Sequence, residues 1–341
     1  MTLLLDNDAV RETLRMSDCI AALEDAFRDY ADGRAITRPR SHTYTDLGDG
    51  RHYLFKTMDG ALPRQKVHAL RLSSDLTYEH EQDGRLRRDK IPAAPGDRYV
   101  GLVLLFDIET LVPLAILHDG YLQRMRVGAT SALAADRLAR PDARVGALIG
   151  AGWQAGAQLL GLREVRDLDE LRVYSPRREK LEPFCVEYGA TPAASAQEAI
   201  DGADVIALAT NAQEPVLDGD WLAPGVHVNS VQRHEVDDRT LERADVIVVR
   251  SSDEPTFHYA RGHKPRDADN KELKGPKLVE LGDVLAGRAG RTSPEQITLF
   301  TGGGGLGIQF TAVADAVYRA ARERGIGREL PTEWFTQTDK P

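Results

Sequence analysis

Short apolar runs of strand length recur through the middle of the chain and alternate with segments of helical character. The runs carry few polar residues, which is typical of parallel strands that are buried on both faces of a sheet. They lie at residues 143–149, 171–174, 204–211, 227–231 and 245–249. This alternation predicts an α/β fold with a Rossmann-type, doubly wound parallel sheet over residues 126–298.

The rest of the chain follows a different pattern. Residues 7–32 predict one or two amphipathic helices, and a last long helix is predicted to reach about Arg324. Residues 77–98 are charged and contain two prolines, so they predict a long exposed loop. Strand-like segments lie at residues 53–56, 68–72, 99–107 and 112–117. We therefore expect residues 1–125 and 299–341 to form one split α+β domain, with the parallel-sheet domain inserted into it.

A glycine motif follows the first apolar run. Gly150, Gly152 and Ala155 form the pattern G-x-G-x-x-A, with Trp153 and Gln154 inside it, after a predicted strand and before a predicted helix. In a dinucleotide-binding βαβ unit the first glycine permits the tight turn and the second lets backbone N–H groups approach a pyrophosphate. The small third residue lets the helix pack closely on the strand. In this context the motif predicts dinucleotide binding, and a plain βα turn is the alternative.

The end of the next strand indicates which dinucleotide is bound. An NAD site usually carries an acidic residue there for the ribose 2′-hydroxyl, whereas this chain has Ser175, Arg177 and Arg178. Two guanidiniums and a hydroxyl suit a 2′-phosphate, so NADP(H) is favoured and NAD(H) stays possible. The alternative is that both arginines are simply the solvated start of the next helix.

Two further predicted strands end at the edge of the sheet where ligands of open α/β folds bind. Thr210 and Asn211 end one strand, and Ser230 and Val231 end the other, so we expect these residues to contact the cofactor. The glycine run that includes Gly305 lacks the Gly-Lys-Ser/Thr of a phosphate-binding Walker loop. It predicts a close approach of the backbone to cofactor or substrate, or alternatively a hinge.

Cations in predicted strands indicate an anionic ligand. Lys56 and Arg71 lie in otherwise buried patterns, where a charge is costly unless an anion or a substrate carboxylate meets it. Arg40 follows a proline and is presented on extended backbone. Arg126 is predicted to lie at the start of an Ala-rich helix, where the arginine and the helix N-terminus together can hold an anion. A surface salt bridge is the alternative for Arg126.

Composition narrows the class of protein. A length of 341 residues suggests two domains, and a net charge of −9 with a pI near 5.6 argues against a nucleic-acid or membrane partner. Two scattered cysteines, Cys19 and Cys185, argue against a disulfide framework or a metal site and suggest a reducing cytoplasm. We expect no signal peptide and no membrane span.

Together these motifs resemble the ornithine cyclodeaminase/mu-crystallin family over nearly the whole chain. Besides the glycine motif, the resemblance is carried by residues 121–129, 209–217, 224–229, 280–287 and 298–300. It implies a homodimer whose substrate and dimerisation domain is split around a Rossmann domain. It also implies a nicotinamide cofactor and chemistry on α-amino acids through an imine. Arg40 and Arg126 match the arginines with which the family holds the substrate carboxylate.

Three positions depart from the family pattern. Arg71 stands where the family has a lysine, His234 lies near the position of an aspartate that assists proton transfer, and Phe310 replaces an aspartate at the start of the last long helix. Arginine is too basic to donate a proton as lysine can. Lys56 on the neighbouring strand, or His234, which titrates near neutral pH, is therefore the predicted proton donor.

The departures favour an imine reductase over a cyclodeaminase. We predict an NAD(P)H-dependent reductase of an α-imino acid, acting in reverse as an amino-acid dehydrogenase, with Arg71 as a further carboxylate contact. A second substrate carboxylate at Arg71 would indicate a dicarboxylic or opine-like substrate. The alternatives are a cyclodeaminase of ornithine or a similar diamino acid with bound NAD, and a non-catalytic small-molecule binder such as mu-crystallin.

Overall fold

A computed structural model of the chain describes residues 1–82, 85–252, 256–260, 277–302 and 304–338. The chain divides into two compact units, and the division falls inside one helix, after Arg126. Unit 1 holds Met1–Arg126 and the described parts of Asp253–Lys271 and Gly304–Pro341. Unit 2 holds Val127–Ser252 and the described part of Glu272–Gly303.

Unit 1 is built on a mixed sheet in which ten strands lie within the described residues. The strands are β1 (Thr2–Leu5), β2 (Ile36–Thr37), β3 (Ser41–Gly48), β4 (Arg51–Leu62), β5 (Val67–Gln82), β6 (Arg85–Ile91), β7 (Val100–Asp107), β8 (Pro113–His118), β15 (Thr256–Tyr259) and β18 (Arg328–Leu330). Their order is β15-β3-β4-β5-β7-β8-β1-β18, with β2 paired to β4 and β6 paired to β5. The helices of this unit are α1 (Asn7–Thr13), α2 (Met16–Ala31), the first part of α3 (Gly120–Leu138) and α9 (Gly307–Arg324).

The predicted loop at residues 77–98 is wrong for most of its length. Strand β5 continues to Gln82, and β6 returns antiparallel to it. Charged side chains pair across this hairpin: Arg88 Nε donates to Glu79 at 2.9 Å, and His80 Nε2 lies 2.8 Å from Asp89 Oδ2. Cross-strand ion pairs therefore take the place of the apolar alternation by which strands are usually identified.

Unit 2 contains a parallel sheet with a nucleotide-binding topology, which confirms the predicted fold class. Within the described residues its strands are β9 (Val145–Ile149), β10 (Glu170–Tyr174), β11 (Thr191–Pro192), β12 (Val205–Leu208), β13 (His227–Ser230), β14 (Val246–Val249), β16 (Leu278–Glu280) and β17 (Thr298–Thr301). They are ordered β11-β10-β9-β12-β13-β17-β14-β16, and the neighbours pair in parallel. The helices are the rest of α3, α4 (Trp153–Val165), α5 (Arg178–Tyr188), α6 (Ala196–Ile200), α7 (Asp238–Arg243) and α8 (Leu281–Leu285).

Strands β9, β12 and β14 are apolar throughout, and buried apolar clusters lie on both faces of the sheet. Alternate residues of one strand point to opposite faces. Ala147 and Ile149 of β9 thus belong to one buried cluster, whereas Leu148 belongs to the other. In β12, Ile206 likewise belongs to the cluster of Ala147 and Ile149, whereas Val205 belongs to the cluster of Leu148. Both cysteines of the chain are buried and free, as the sequence predicts.

Two strands lie in a different unit from the one indicated by the sequence. Strand β17 begins at Thr298 and continues into the segment 299–341 that was predicted for the substrate domain, yet it pairs with both β13 and β14 of the parallel sheet. Strand β15 falls within the predicted Rossmann segment 126–298, yet it pairs with β3 of unit 1. Strand pairing rather than order along the chain decides where these segments lie.

Helix α9 packs on the sheet of unit 1 by direct contact of backbones. A Cβ built on Gly307 would lie 1.8 Å from the carbonyl oxygen of Asp59, and one on Gly60 would lie 2.6 Å from the backbone nitrogen of Ile308. Thr311 Oγ1 donates to the Gly60 carbonyl oxygen at 2.8 Å and so fixes the same contact. Glycine is required at this crossing because a side chain would separate the helix from the strand.

Within the described residues, no helix has both the length and the apolar content needed to cross a bilayer.

The Gly307→Ala substitution is expected to lower the free energy of unfolding by at least about 2 kcal/mol, because its methyl group would overlap the backbone of β4. Urea unfolding followed by circular dichroism measures the change. Gly152→Ala is the matched control, since a Cβ at Gly152 meets nothing within 4 Å in the described residues. Equal stabilities of the two variants would contradict the backbone contact.

Candidate active site

The turn between β9 and α4 leaves space for a ligand. Gly150 has a φ of 118°, and a Cβ there would lie 2.3 Å from the carbonyl oxygen of Ala209, so only glycine fits. Gly152 is the N-cap of α4 and gives that helix no side-chain cap. Ala155 is fully buried against the sheet. The helix thus begins with uncapped N–H groups beside open space, which is the arrangement that a phosphate needs.

Two side chains inside the motif differ in their surroundings. Trp153, the first residue of α4, is 50 % exposed. Gln154 is partly exposed, and its buried Oε1 has no hydrogen-bond partner within the described residues. Both residues lie in the first turn of α4, directly after Gly152.

The end of β10 carries the residues that were predicted to select the dinucleotide. Ser175 is buried, whereas Arg177 and Arg178 are exposed at the N-cap and first residue of α5. Within the described residues neither arginine is in a salt bridge. Two exposed cations without carboxylate partners suit a phosphate group at this position.

A buried carboxylate that sequence reasoning missed connects the ends of β12 and β13. Glu235 Oε1 accepts hydrogen bonds from the backbone N–H of Thr210 at 2.6 Å and from its hydroxyl at 2.8 Å. Its Oε2 accepts from the N–H of Gln232 at 2.7 Å and from Ser230 Oγ at 3.3 Å. Burial raises the pKa of Glu235, while these donors act in the opposite direction.

This network shows which of the predicted cofactor residues have polar groups already bonded within the protein. The side chains of Thr210 and Ser230 are engaged by Glu235, and the N–H of Val231 donates to the Leu208 carbonyl oxygen at 3.0 Å. Asn211, in contrast, is exposed. The network therefore gives the two strand ends a fixed shape. Asn211 is the side chain of this group that projects into solvent.

One face of the sheet in unit 1 carries the predicted cations. Strand alternation places His42 of β3, Lys56 of β4 and Ser73 of β5 side by side on this face, since the three are register partners. Arg71 lies two residues from Ser73 on the same face. His42 and Arg71 are only 4 % exposed, so these polar groups lie in the interior of unit 1.

Arg71 donates hydrogen bonds to two polar side chains, those of Asp119 just before α3 and Gln123 within α3. Its Nε donates to Asp119 Oδ2 at 2.8 Å, and its Nη2 donates to Gln123 Oε1 at 2.8 Å. The Asp119 carboxylate occupies the space beside Gly101, where a Cβ would come within 2.0 Å of it. The guanidinium of Arg71 also lies 5.3 Å from the ring centroid of Phe310. Its charge is therefore compensated within the protein.

Arg126 also lies against the ring of Phe310. Its guanidinium lies 4.8 Å from the Phe310 ring centroid, and its Nη1 donates to Gln309 Oε1 at 3.3 Å. A Cβ on Gly305 would lie 2.8 Å from Nη1, so the chain passes close to this arginine. The predicted position at a helix N-terminus is wrong. Helix α3 begins at Gly120, where the Asn7 side chain accepts the N–H of Tyr121 at 2.8 Å.

Arg40 lies close to a glycine of the same run. A Cβ on Gly304 would lie 3.2 Å from its Cζ. Within the described residues its Nε has no hydrogen-bond partner. Burial, and next the positive charge of Arg71, lower the pKa of Arg40 to about 10. The guanidinium stays charged at neutral pH, so Arg40 is a partly buried cation that an anionic ligand would stabilise.

Lys56 shares one buried carboxylate with a second lysine. Its Nζ lies 3.1 Å from Asp75 Oδ2, and Lys90 Nζ lies 2.8 Å from Asp75 Oδ1. Burial lowers the pKa of Lys56 to about 8, and Asp75 only partly offsets this. His42, beside it, has its pKa lowered to about 3 by burial and by Arg40 and Lys56, so its imidazole is neutral.

The structure thus brings Arg40, Lys56, Arg71, Arg126 and Gly305 together within unit 1. His234 belongs to unit 2, where it is exposed on the 3₁₀ helix Arg233–Glu235. Sequence reasoning missed Asp75, Lys90 and Asp119. The signal available for Asp75 and Asp119 was the presence of cations in buried patterns, which require carboxylates nearby, but it did not say which carboxylates.

Comparison with known proteins gives a consistent result. The chain is 30 % identical over 340 residues to alanine dehydrogenase of Archaeoglobus fulgidus, a match that covers 96 % of this chain and 98 % of the relative. It is 34 % identical over 242 residues to Delta(1)-pyrroline-2-carboxylate reductase of Bacillus cereus, covering 67 % of this chain and 74 % of that protein. Ketimine reductase mu-crystallin of Rattus norvegicus is 29 % identical, with coverage of 92 % and 96 %.

Solved structures agree with this result. An archaeal alanine dehydrogenase dimer with bound NAD superposes with a TM-score of 0.77 at 27 % identity, covering 97 % of this chain and 99 % of that one. The Delta(1)-pyrroline-2-carboxylate reductase of Thermococcus litoralis, in complex with NADH and L-proline, gives 0.75 at 26 % identity, with coverage of 96 % and 100 %. The model of the ornithine cyclodeaminase/mu-crystallin family matches residues 1–325. The chain therefore belongs to the ornithine cyclodeaminase/mu-crystallin family.

Proposed function

We propose that this protein is an NAD(P)H-dependent reductase of a small α-imino acid, which also oxidises the corresponding amino acid in the reverse direction. The observation that carries the proposal is the cluster of buried cations in unit 1, in a chain whose unit 2 has a dinucleotide-binding turn. Relatives over most of the chain are named as an amino-acid dehydrogenase and as imine reductases.

Arg40 and Arg126 hold the substrate carboxylate in this proposal. Arg40 supports it because burial and the positive charge of Arg71 lower the pKa of Arg40, and a bound carboxylate would supply a compensating negative charge. Arg126 is 5 % exposed and is oriented by Gln309 and the ring of Phe310. A clamp of two guanidiniums fixes the position of the α-carbon and thereby of the carbon–nitrogen double bond.

Lys56 is the proposed proton donor. Its pKa of about 8 places its proton transfer near neutral pH, as general acid catalysis requires. Arg71 is unsuited to this task, because a guanidinium does not release its proton and Asp119 compensates its charge. The same ion pair weakens the prediction that Arg71 binds a substrate carboxylate. His234 remains a predicted donor, and it lies exposed in unit 2.

The cofactor fits the residues of unit 2. The uncapped start of α4 and the open space at Gly152 suit a pyrophosphate, and Arg177 with Arg178 suits a 2′-phosphate, so we propose NADP(H) as the preferred cofactor. When bound, the reduced nicotinamide supplies the hydride. We also propose a homodimer, as in the archaeal alanine dehydrogenase structure, and a cytoplasmic location, which the buried free cysteines support.

The direct test measures NADPH and NADH consumption with a panel of 2-oxo acids and cyclic imines, with and without ammonia or methylamine. Consumption that requires an imine is the expected result. Ammonia release from ornithine or lysine without net change of absorbance near about 340 nm would indicate a cyclodeaminase instead. Cofactor binding without turnover of any amino, imino or keto acid would indicate a binding protein.

The Arg126→Met variant is expected to lose at least about 100-fold in kcat/KM for imine reduction, because a buried carboxylate would lose a charged partner. Its dissociation constant for NADPH should stay within a few-fold of the wild-type value. Steady-state kinetics and calorimetric titration measure the two quantities. Arg322→Met, which removes an arginine that is exposed beside Glu329, is the control. Retained activity in Arg126→Met would remove Arg126 from the site.

Replacing Arg177 and Arg178 together by Ala is expected to weaken NADPH binding by about 10-fold or more and NADH binding by much less, since only NADPH carries the 2′-phosphate. The dissociation constants of both nucleotides are measured by fluorescence titration. Lys180→Ala, an exposed cation of the same helix, controls for loss of general positive charge. Equal losses for the two nucleotides would refute the preference for NADP(H).

The Gly152→Ala variant is expected to bind either nucleotide about 10-fold more weakly while its melting temperature stays near that of the wild type. A methyl group there meets no described protein atom within 4 Å, so it interferes only with a phosphate at the helix N-terminus. Calorimetric titration and thermal unfolding separate the two effects. Unchanged nucleotide binding would contradict the assignment of this turn to the pyrophosphate.

A further inference from the structure

We propose that Asp75 and Lys90 act on the reaction through Lys56: Asp75 holds the Lys56 ammonium group in place, and Lys90, on the other oxygen of the same carboxylate, makes the Lys56 proton easier to release. Both are positioning residues in this proposal. The inference rests on the proposed imine reduction with Lys56 as donor.

The geometry is that of two ammonium groups on one carboxylate. Lys56 reaches Asp75 from β4 and Lys90 reaches it from β6, on opposite sides of β5. The Asp75 side chain is only 3 % exposed, whereas Lys56 is 20 % and Lys90 is 48 % exposed. Ser73 Oγ also donates to Asp75 Oδ2, at 3.2 Å. The Asp75 carboxylate is thus buried and is held in place by three side chains.

The charges around Lys56 do not balance while it is protonated. Asp75 is the one carboxylate that contacts it in the described residues, and Lys90 shares that carboxylate. Arg40 adds a further positive charge nearby, and His42 is neutral and gives no compensation. Arg71 on β5 is already paired with Asp119. Lys56, Lys90 and Asp75 therefore carry a net charge of +1, and of the three only Lys90 is well exposed to solvent.

Release of the Lys56 proton removes this net positive charge. The proton moves from Nζ to the nitrogen of the imine as the hydride is added to its carbon, and the π electrons of the C=N bond become the electrons of the new N–H bond. Lys56 is left as a neutral amine, and Lys90 with Asp75 forms a balanced pair. Solvent reloads the amine, which the partial exposure of Lys56 allows. In the reverse direction neutral Lys56 accepts the proton.

The alternative is that a second anionic group of the substrate compensates this net positive charge. The structure favours proton release, because burial and the neighbouring cations lower the pKa of Lys56 to about 8, whereas Asp75 alone would raise it. The pKa of Asp75 is lowered despite its burial, since both lysines stabilise the carboxylate. Asp75 stays ionised throughout, so the proton that moves belongs to Lys56.

The test replaces Lys90 by Met, which keeps a similar length and removes the charge. In the wild type, kcat/KM for imine reduction should fall as pH rises through about 8, because reduction requires protonated Lys56. In Lys90→Met the fall should move to higher pH by about one unit, because a repelling cation is gone and Asp75 serves Lys56 alone. Lys90→Arg should restore the wild-type profile. Lys66→Met, in the exposed pair with Glu109, is the control.

A second measurement reports on Lys56 without turnover. The rate at which acetic anhydride labels Lys56 in the full-length protein is followed against pH by peptide mass spectrometry, and its midpoint gives the pKa of Lys56. The midpoint should rise in Lys90→Met and not in Lys66→Met. An unchanged midpoint in folded Lys90→Met would overturn the inference. Absence of any imine reduction by the wild type, with the midpoint shifted as expected, would refute the proposed function and still support the coupling of Lys56 to Lys90.

Discussion

Buried positive charge is the constraint on which the organisation of unit 1 depends. Cations placed on the inner face of a sheet must find anions within the protein or in a ligand, and space must be left for both. Glycine provides that space here. Gly101 makes room for the Asp119 carboxylate beside Arg71, while Gly304 and Gly305 let the chain pass close to Arg40 and Arg126. Phe310 lies where the family resemblance implies an aspartate. Its ring contacts the guanidiniums of Arg71 and Arg126.

The two units use polarity in different ways. In unit 2, strands β9, β12 and β14 are apolar on both faces, and polar groups gather where β12 and β13 end, at Thr210 and Ser230, with Glu235 fixing their shape. In unit 1 the charged side chains stand in the middle of long antiparallel strands. Under the proposed function, the cofactor therefore meets mainly loops and backbone, whereas the substrate meets side chains. Under the same proposal, single substitutions in β4 and β5 are the direct route to a changed substrate.

The sequence predicts those parts of the fold that have a local pattern. Parallel strands and the turn at Gly150 are visible because apolar runs and glycine spacing are properties of neighbouring residues. The start of α3 was misplaced because its cap comes from Asn7, which is 114 positions away from Tyr121. The same reason hid Asp119, which is 48 positions from Arg71. In β6 the charged composition suggested a loop, and only its pairing with β5 makes it a strand.

Strand β17 has a consequence for how the protein is made. It lies in the interior of the parallel sheet, between β13 and β14, although it is encoded about fifty residues after β14 in the chain. During synthesis β13 and β14 emerge first and have open edges until residues 298–301 leave the ribosome. The sheet of unit 2 is therefore completed late in translation. A chain that stops before Thr298 leaves β13 and the apolar strand β14 with unpaired backbone groups, which are sites of aggregation and recognition by chaperones.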